Sequence, residues 1–365
     1  MYGRFKVLHL IFEPDRPEAV ECAAATGLYA DEFDEPLAVA AWAPKSVGPL
    51  GNLPNRAREA GVFHRGPRAA LDLRSSLLRE RINVVHCHDA RSLVTMWILK
   101  GTGRMPPVVF SVYCPLEGAG PGRPIQHAAR KVLLRTMRAG ADAVVVPSTF
   151  AGGVVASQGA FERGRLWKVS YGVLPEMIAQ GAGVDRSEAL LLPVETSGGR
   201  RRGTYQYFLQ AAQVVTRQVS GARFVVIAPP AAAGFVEETA ARFGLGDSVR
   251  IDPPDAFPGN LADTSIAVLP TGDFQGIRPL LLAMAAGKAV VAPDLRGVRE
   301  FVEEEETGIL VRPGDSQALA EALARLASSA TARGKIARSA LDAVRRDFPA
   351  RKTARGLYAV YSAIC

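Results

Sequence analysis

Five histidines stand in the chain, His9, His64, His86, His88 and His127, and two of them flank Cys87 in the stretch NVVHCHD at residues 83–89. His86 and His88 are expected to leave a strand end on opposite faces, so that they do not chelate one metal, and simple packing stands beside a cleft-lining role for one of them. None of the histidines finds a convincing nucleophile partner, so no Ser-His-Asp or Cys-His triad is read. Cys22, Cys87, Cys114 and Cys365 form no C-x-x-C pair. Buried thiols are expected rather than a zinc site or a disulfide framework. G-x-G-x-x-G is absent, and neither a metal nor a cofactor is expected.

A second chemistry is anion binding. Around Gly276, Arg278 and Leu280 the sequence predicts a short helix with Pro279 at its first position, ending before Gly287. That is the asymmetry of real helices, proline at the start and glycine past the end. Free amides from Gly276 to Leu280 would face an anion, and Arg278 and Arg202, the latter beside Gly203, would add charge.

These residues need elements to hold them. Short apolar runs at 6–12, 37–41, 83–86, 107–112, 143–146 and 165–169 alternate with helix-length segments. A second series follows at 189–193, 223–228, 248–251, 266–269, 289–292 and 308–311. Runs so continuously apolar describe parallel strands buried on both faces. The fold class is α/β, with two Rossmann-like parallel-sheet domains facing a cleft. The expected division is 1–172, a hinge at 173–188, a second domain at 189–346, and a terminal helix at 347–365 that returns to the first domain. Within the second domain a helix running to Val302 is expected after Gly297, and Asp315 is expected to cap the next helix.

Composition sets the class. With 48% hydrophobic and 22% charged residues the chain is an ordinary globular protein large enough for two cores. The most apolar run, 280–292, is broken by Lys288 and closed by Pro293, too short to cross a bilayer. A cytoplasmic location is expected, with peripheral association at the inner face of the membrane as an extension. A net charge of +8 favours acidic partners. Aromatics are only 7%, and no nucleic-acid-binding spacing occurs, so nucleic acid is not expected. The basic segment from Arg123 to Arg138 offers an anionic-membrane contact, against the simpler reading of a core-facing stripe (Ile125, Ala129, Val132, Leu133, Met137) with a solvated basic back.

The order of elements from Ala262 to Leu326, with AMAAGKAVVA, GVREFVEEEETGILV and PGDSQALAEAL, closely resembles the donor-binding half of GT-B glycosyltransferases of family four. VLHLIF, NVVHCHD, ADAVVVPSTFAGGVV, RLWKVSYGV and RRGTYQYFLQAA extend the resemblance over nearly the whole chain. It implies a nucleotide-sugar donor in the second domain, an acceptor in the first, and transfer with retention of configuration.

Several positions depart from that pattern. Where the family carries two glutamates eight residues apart, one for the reacting sugar and one for the ribose hydroxyls, this chain has Phe274 and Leu282, with Asp273 beside the first. The glycine-rich turn after the first strand is replaced by Glu13-Pro14-Asp15-Arg16-Pro17, a cleft histidine by Tyr113, and a Gly-x-Gly by Pro229-Pro230-Ala231. Arg202 stands at the usual phosphate-gripping lysine, while the companion arginine position holds Ser197 and Arg200 and Arg201 lie close by. Asp273, His88 and Tyr113 are the candidate catalytic residues; Arg202, Gly203, Gly276, Arg278 and Leu280 are the candidate donor and phosphate contacts. Losing two charge-assisted hydrogen bonds of about 1.5–3 kcal/mol each would weaken donor binding by roughly two to four powers of ten. Three readings follow: a catalytically degenerate binding or partner subunit of glycan, polysaccharide or glycolipid biosynthesis, an active retaining transferase with a rebuilt donor site, and, behind both, a basic nucleic-acid or membrane-surface binder that has borrowed the fold.

Overall fold

A computed structural model of the protein describes residues 6–11, 22, 26, 38–43, 58–62, 67–113, 124–158, 163–179, 188–191, 202–269 and 277–365. The chain forms two compact units, one comprising Met1–Leu174 with Ala350–Cys365, the other Pro175–Pro349.

The first unit is built on strands β1 (Lys6–Leu10), β2 (Ala38–Ala43), β3 (Arg58–Val62), β4 (Val84–Cys87), β5 (Val108–Ser111), β6 (Ala143–Val146) and β7 (Leu166–Lys168). Their order across the sheet is β3-β2-β1-β4-β5-β6-β7, and every pairing is parallel. β4, β5 and β6 are buried at every residue, which is what helices on both faces of a parallel sheet require. β3 is a strand that the hydrophobic pattern did not predict: REAGV carries two charges in five residues and, among the described residues, pairs with β2 alone, at the sheet edge.

Helices α1 (Pro67–Arg79), α2 (Ala90–Lys100), α3 (Pro124–Gly140) and α4 (Thr149–Ser157) connect these strands. α2 begins directly after His88 because Asp89 caps it: its carboxylate accepts from the Ser92 amide at 2.7 Å, and the Asp89 amide donates to Ser92 Oγ. Such a cap is worth about 1 kcal/mol and fixes where the chain leaves the strand. On α3, Met137 faces the core as the apolar stripe predicts, whereas Val132 is 57% exposed beside the exposed Arg135. Val132 is therefore not part of the buried stripe.

The last helix, α5 (Ala350–Ile364), buries Ala350, Ala354, Leu357, Val360 and Tyr361, spaced for one face. That face packs in one cluster with Val7, Val84, Val109, Val145 and Val169. The approach is close at Gly172, where an added Cβ would meet the Ala350 Cα at 2.7 Å. Thr353 Oγ1 donates to the Ser170 carbonyl, and the Ala350 amide to that of Val173.

The second unit carries β8 (Ala189–Leu191), β9 (Phe224–Ile227), β10 (Val249–Asp252), β11 (Ile266–Val268), β12 (Ala289–Pro293) and β13 (Ile309–Val311) in the parallel order β10-β9-β8-β11-β12-β13. Helices α6 (Arg202–Gln218), α7 (Pro230–Arg242), α8 (Phe257–Asp263), α9 (Ile277–Ala285), α10 (Ser316–Ser328) and α11 (Ala330–Asp347) complete it. Its core joins Phe208, Ala211 and Ala212 of α6 to Phe224, Val268, Val291 and Leu323. Asp315 caps α10 by accepting from the Ala318 amide at 2.9 Å. Two local expectations change. α9 begins at Ile277, so Pro279 is its third residue rather than its first, where the missing N–H still costs no intrahelical bond. Residues 296–301 form turns instead of a helix, because the bonds four residues back, from Arg299 to Leu295 and from Val302 to Val298, are not consecutive.

Candidate functional site

The first sheet reverses its strand order between β1 and β4, the place where an open parallel sheet leaves a crevice beyond its strand ends. His9 of β1 lies opposite His86 of β4 in register. His88 follows two residues later. Side chains two apart on a strand share a face, because the alternation has a period of two. The expectation that His86 and His88 point to opposite faces is thus corrected: their rings stack with centroids 4.3 Å apart. His9 stands 5.1 Å from His86 and 5.0 Å from His88. All three are buried, at 0%, 0% and 2% exposure.

Hydroxyls and imidazoles tie the group together. His9 Nδ1 and His88 Nε2 share a hydrogen bond of 2.8 Å, and His88 Nδ1 meets Tyr113 Oη at 2.5 Å. His86 is held at both nitrogens, by Tyr361 Oη of α5 at 2.7 Å and by Ser111 Oγ at 2.7 Å. His9 Nε2 is buried without a hydrogen-bond partner. Cys22 completes the cluster: its thiol and one ligand nitrogen from each histidine all lie within 4.8 Å of one another. A cavity beside them is lined by Cys22, Ser111, Tyr113, Tyr171, Gly172 and Thr353, among others.

Burial dominates the electrostatics. Desolvation lowers His9 to about 3. It also holds His86 and His88 well below the ordinary imidazole value, with neighbouring histidines adding to the effect. Burial pushes the Cys22 thiol up to about 12, partly offset by a hydrogen bond with Tyr113. The phenols of Tyr113 and Tyr361 are raised well above their usual range for the same first reason. At neutral pH the cluster is an uncharged network of three imidazoles, hydroxyls and a thiol.

Two of the sequence candidates, His88 and Tyr113, are brought into direct contact. Asp273, Phe274 and Gly276 lie outside the described residues, as do Glu13 to Pro17, Ser197, Arg200 and Arg201. In the second unit Arg202 opens α6, with its guanidinium 4.9 Å from the Phe235 ring centroid. Gly203 follows, and a Cβ there would meet nothing within 4 Å. Arg278 is half-buried in the first turn of α9, Leu280 is fully buried and Leu282 is half-buried. With Pro279 third in that helix, the amides ahead of it belong to Ile277 and Arg278. Pro229 and Pro230 start α7, whose N-cap makes no side-chain hydrogen bond.

Sequence reasoning missed His9, Cys22, Ser111 and Tyr361 as partners of His86 and His88. Strand register carries a signal for His9, since VLHL and VVHC place a histidine at the same level of adjacent strands. Cys22 and Tyr361 carry none, because their contacts span long sequence separations.

Two family models match the chain in succession, Glycosyltransferase Family 4 over residues 28–174 and Glycosyl transferases group 1 over residues 198–329. This chain belongs to the family-four GT-B glycosyltransferases. The parallel sheets of this family-four protein are matched across 98% of its length by the crystal structure of Anabaena Alr3699/HepE in complex with UDP-glucose, with a TM-score of 0.75, 15% identity and 99% of that chain covered. In sequence it is 28% identical over 138 residues to alpha-D-kanosaminyltransferase of Streptomyces kanamyceticus, covering 37% of this chain and 36% of that one. It is 33% identical over 127 residues to D-inositol 3-phosphate glycosyltransferase of Salinispora tropica, covering 34% and 26%. The matched stretches span about a third or less of these curated relatives.

Proposed function

We propose that this family-four protein works in glycan, polysaccharide or glycolipid biosynthesis as a binding or partner subunit that holds a phosphate-bearing ligand, of nucleotide-sugar type, without efficient sugar transfer. The first unit takes the acceptor side and the second the donor side, as the family resemblance implies. The observation that carries the reading is α9: IRPLLLAMA contains no acid, and Leu282 stands where the family resemblance implies the ribose-holding glutamate. An aliphatic side chain accepts no hydrogen bond from a diol, so the ribose hydroxyls lose their charged partner. Arg202 and Arg278, with the amides at the start of α9, supply the positive field for a diphosphate. In the first unit His88 supports the same reading, since both its nitrogens are engaged and burial keeps it neutral.

Calorimetry of the purified protein with UDP-, GDP- and ADP-sugars, followed by hydrolysis assays, tests the proposal. Weak diphosphate binding without turnover is the expected result. Micromolar binding of one sugar nucleotide, abolished by Arg202→Ala and accompanied by turnover, overturns it in favour of an active retaining transferase with a rebuilt donor site.

A further inference from the structure

We propose that His9, His86, His88 and Cys22 form a tetrahedral metal site of the zinc class inside the first unit. Three imidazoles and one thiol converge here from β1, β4, the residue after β4, and Cys22. Zinc takes His nitrogens at about 2.0–2.1 Å and Cys sulfur at about 2.3 Å, which makes the edges of a tetrahedron roughly 3.3–3.6 Å. The present donor set spans no more than 4.8 Å between any two atoms, so the widest edge closes by about 1 Å. The His9 Nδ1 to His88 Nε2 contact, 2.8 Å, is shorter than an edge, and it opens if those two nitrogens both become ligands.

The surroundings are those of a ligand set rather than of a packed core. A ligating histidine is ordinarily fixed through its other nitrogen by an oxygen partner. His88 has Tyr113 Oη in that position, and His86 has Tyr361 Oη on one side and Ser111 Oγ on the other, so one hydroxyl remains when the metal displaces the second. His9 supplies the independent observation. Neutral imidazole carries a single N–H, and His9 shares one nitrogen with His88. Whichever of the two donates, His9 Nε2 is left as a buried bare lone pair or a buried N–H with nothing to accept it. An ion on that atom gives it a partner, in exchange for the His9 Nδ1–His88 Nε2 bond when His88 Nε2 also becomes a ligand.

Binding is balanced by proton release: the divalent ion forms a bond to sulfur, and the Cys22 S–H proton leaves to solvent. The site then carries one net positive charge. Metal binding at this site is independent of the function proposed above.

Cobalt(II) titration of the chelator-treated full-length protein is the test. One equivalent per chain is expected, with the intense visible bands of a tetrahedral ion, a near-ultraviolet thiolate-to-cobalt band, and stoichiometric displacement by zinc. Cys22→Ser, a near-isosteric change that leaves the fold intact by circular dichroism, removes the thiolate band. His9→Gln weakens binding at least tenfold, and Tyr113→Phe weakens it about tenfold through the orienting hydrogen bond. Failure of the wild-type protein to develop tetrahedral bands overturns the proposal. So does a thiolate band that survives Cys22→Ser, because the ion then sits on another cysteine.

Discussion

Tyr361, near the end of the chain, donates to or accepts from His86 Nδ1 at 2.7 Å across 275 residues of sequence, and both side chains are fully buried. The bond joins α5 to the centre of the first sheet at the level of the histidine cluster. Tyr361→Phe keeps the ring and removes only the hydroxyl, leaving one imidazole nitrogen without its partner. A loss of about 1–3 kcal/mol is expected from urea unfolding monitored by circular dichroism, while Tyr361→Ala costs about 3–5 kcal/mol through the lost ring. A Tyr361→Phe variant as stable as wild type, beside a destabilised Tyr361→Ala, would show that packing alone holds the helix.

Gly172 gives a second handle on the same helix. A methyl group there runs into the Ala350 backbone, which cannot yield as a flexible side chain would. Gly172→Ala is expected to cost about 1–3 kcal/mol and to speed hydrogen exchange in α5 before the rest of the first unit. Uniform exchange across both units would contradict this.

The buried imidazoles set an acid limit for the metal-free protein. Their native values lie below the unfolded value, His9 at about 3 against 6.5. Below about pH 6.5 the unfolded chain therefore binds protons that the native state does not, and stability falls with falling pH. Each such histidine contributes a slope approaching about 1.4 kcal/mol per pH unit once the unfolded form is charged. Urea midpoints measured from pH 7.5 down to 5 should drop steadily, before most carboxylates titrate. His9→Gln should flatten the slope by about one proton; a flat wild-type profile would show the histidines to be solvated.

The membrane reading of α3 rests on exposed Arg135 and Arg138 beside exposed Val132. Sedimentation with anionic vesicles at low salt is expected to exceed that with neutral vesicles. Arg135→Ala with Arg138→Ala should weaken it by about 1 kcal/mol per charge, and raised salt should have the same direction. Indifference to vesicle charge would remove the idea.

Much of the fold was legible because buried parallel strands announce themselves as apolar runs, and the family motifs of the second unit set the order of its elements. β3 was not, since Arg58 and Glu59 hide an edge strand from any hydrophobic pattern. The His-x-His pair was visible, but its geometry was misread until period-two alternation placed both rings on one face. Cys22 and Tyr361 depend on contacts that no local spacing encodes, and the cluster emerges only when the ends of the described chain meet. Asp315 was the opposite case: a cap acts within one helical turn, and a local rule suffices.

The return of α5 also bears on the order of events during synthesis. The hydrophobic face formed by Val7, Val84, Val109 and Val169 is covered by residues that follow the whole second unit. At roughly 5–20 residues per second, translation of the intervening segment leaves that face uncovered on the ribosome for about ten to forty seconds. The second unit has all of its own strands and helices before that interval ends. The half begun first is thus the half finished last, and during the wait its open valine face is the surface most prone to aggregate.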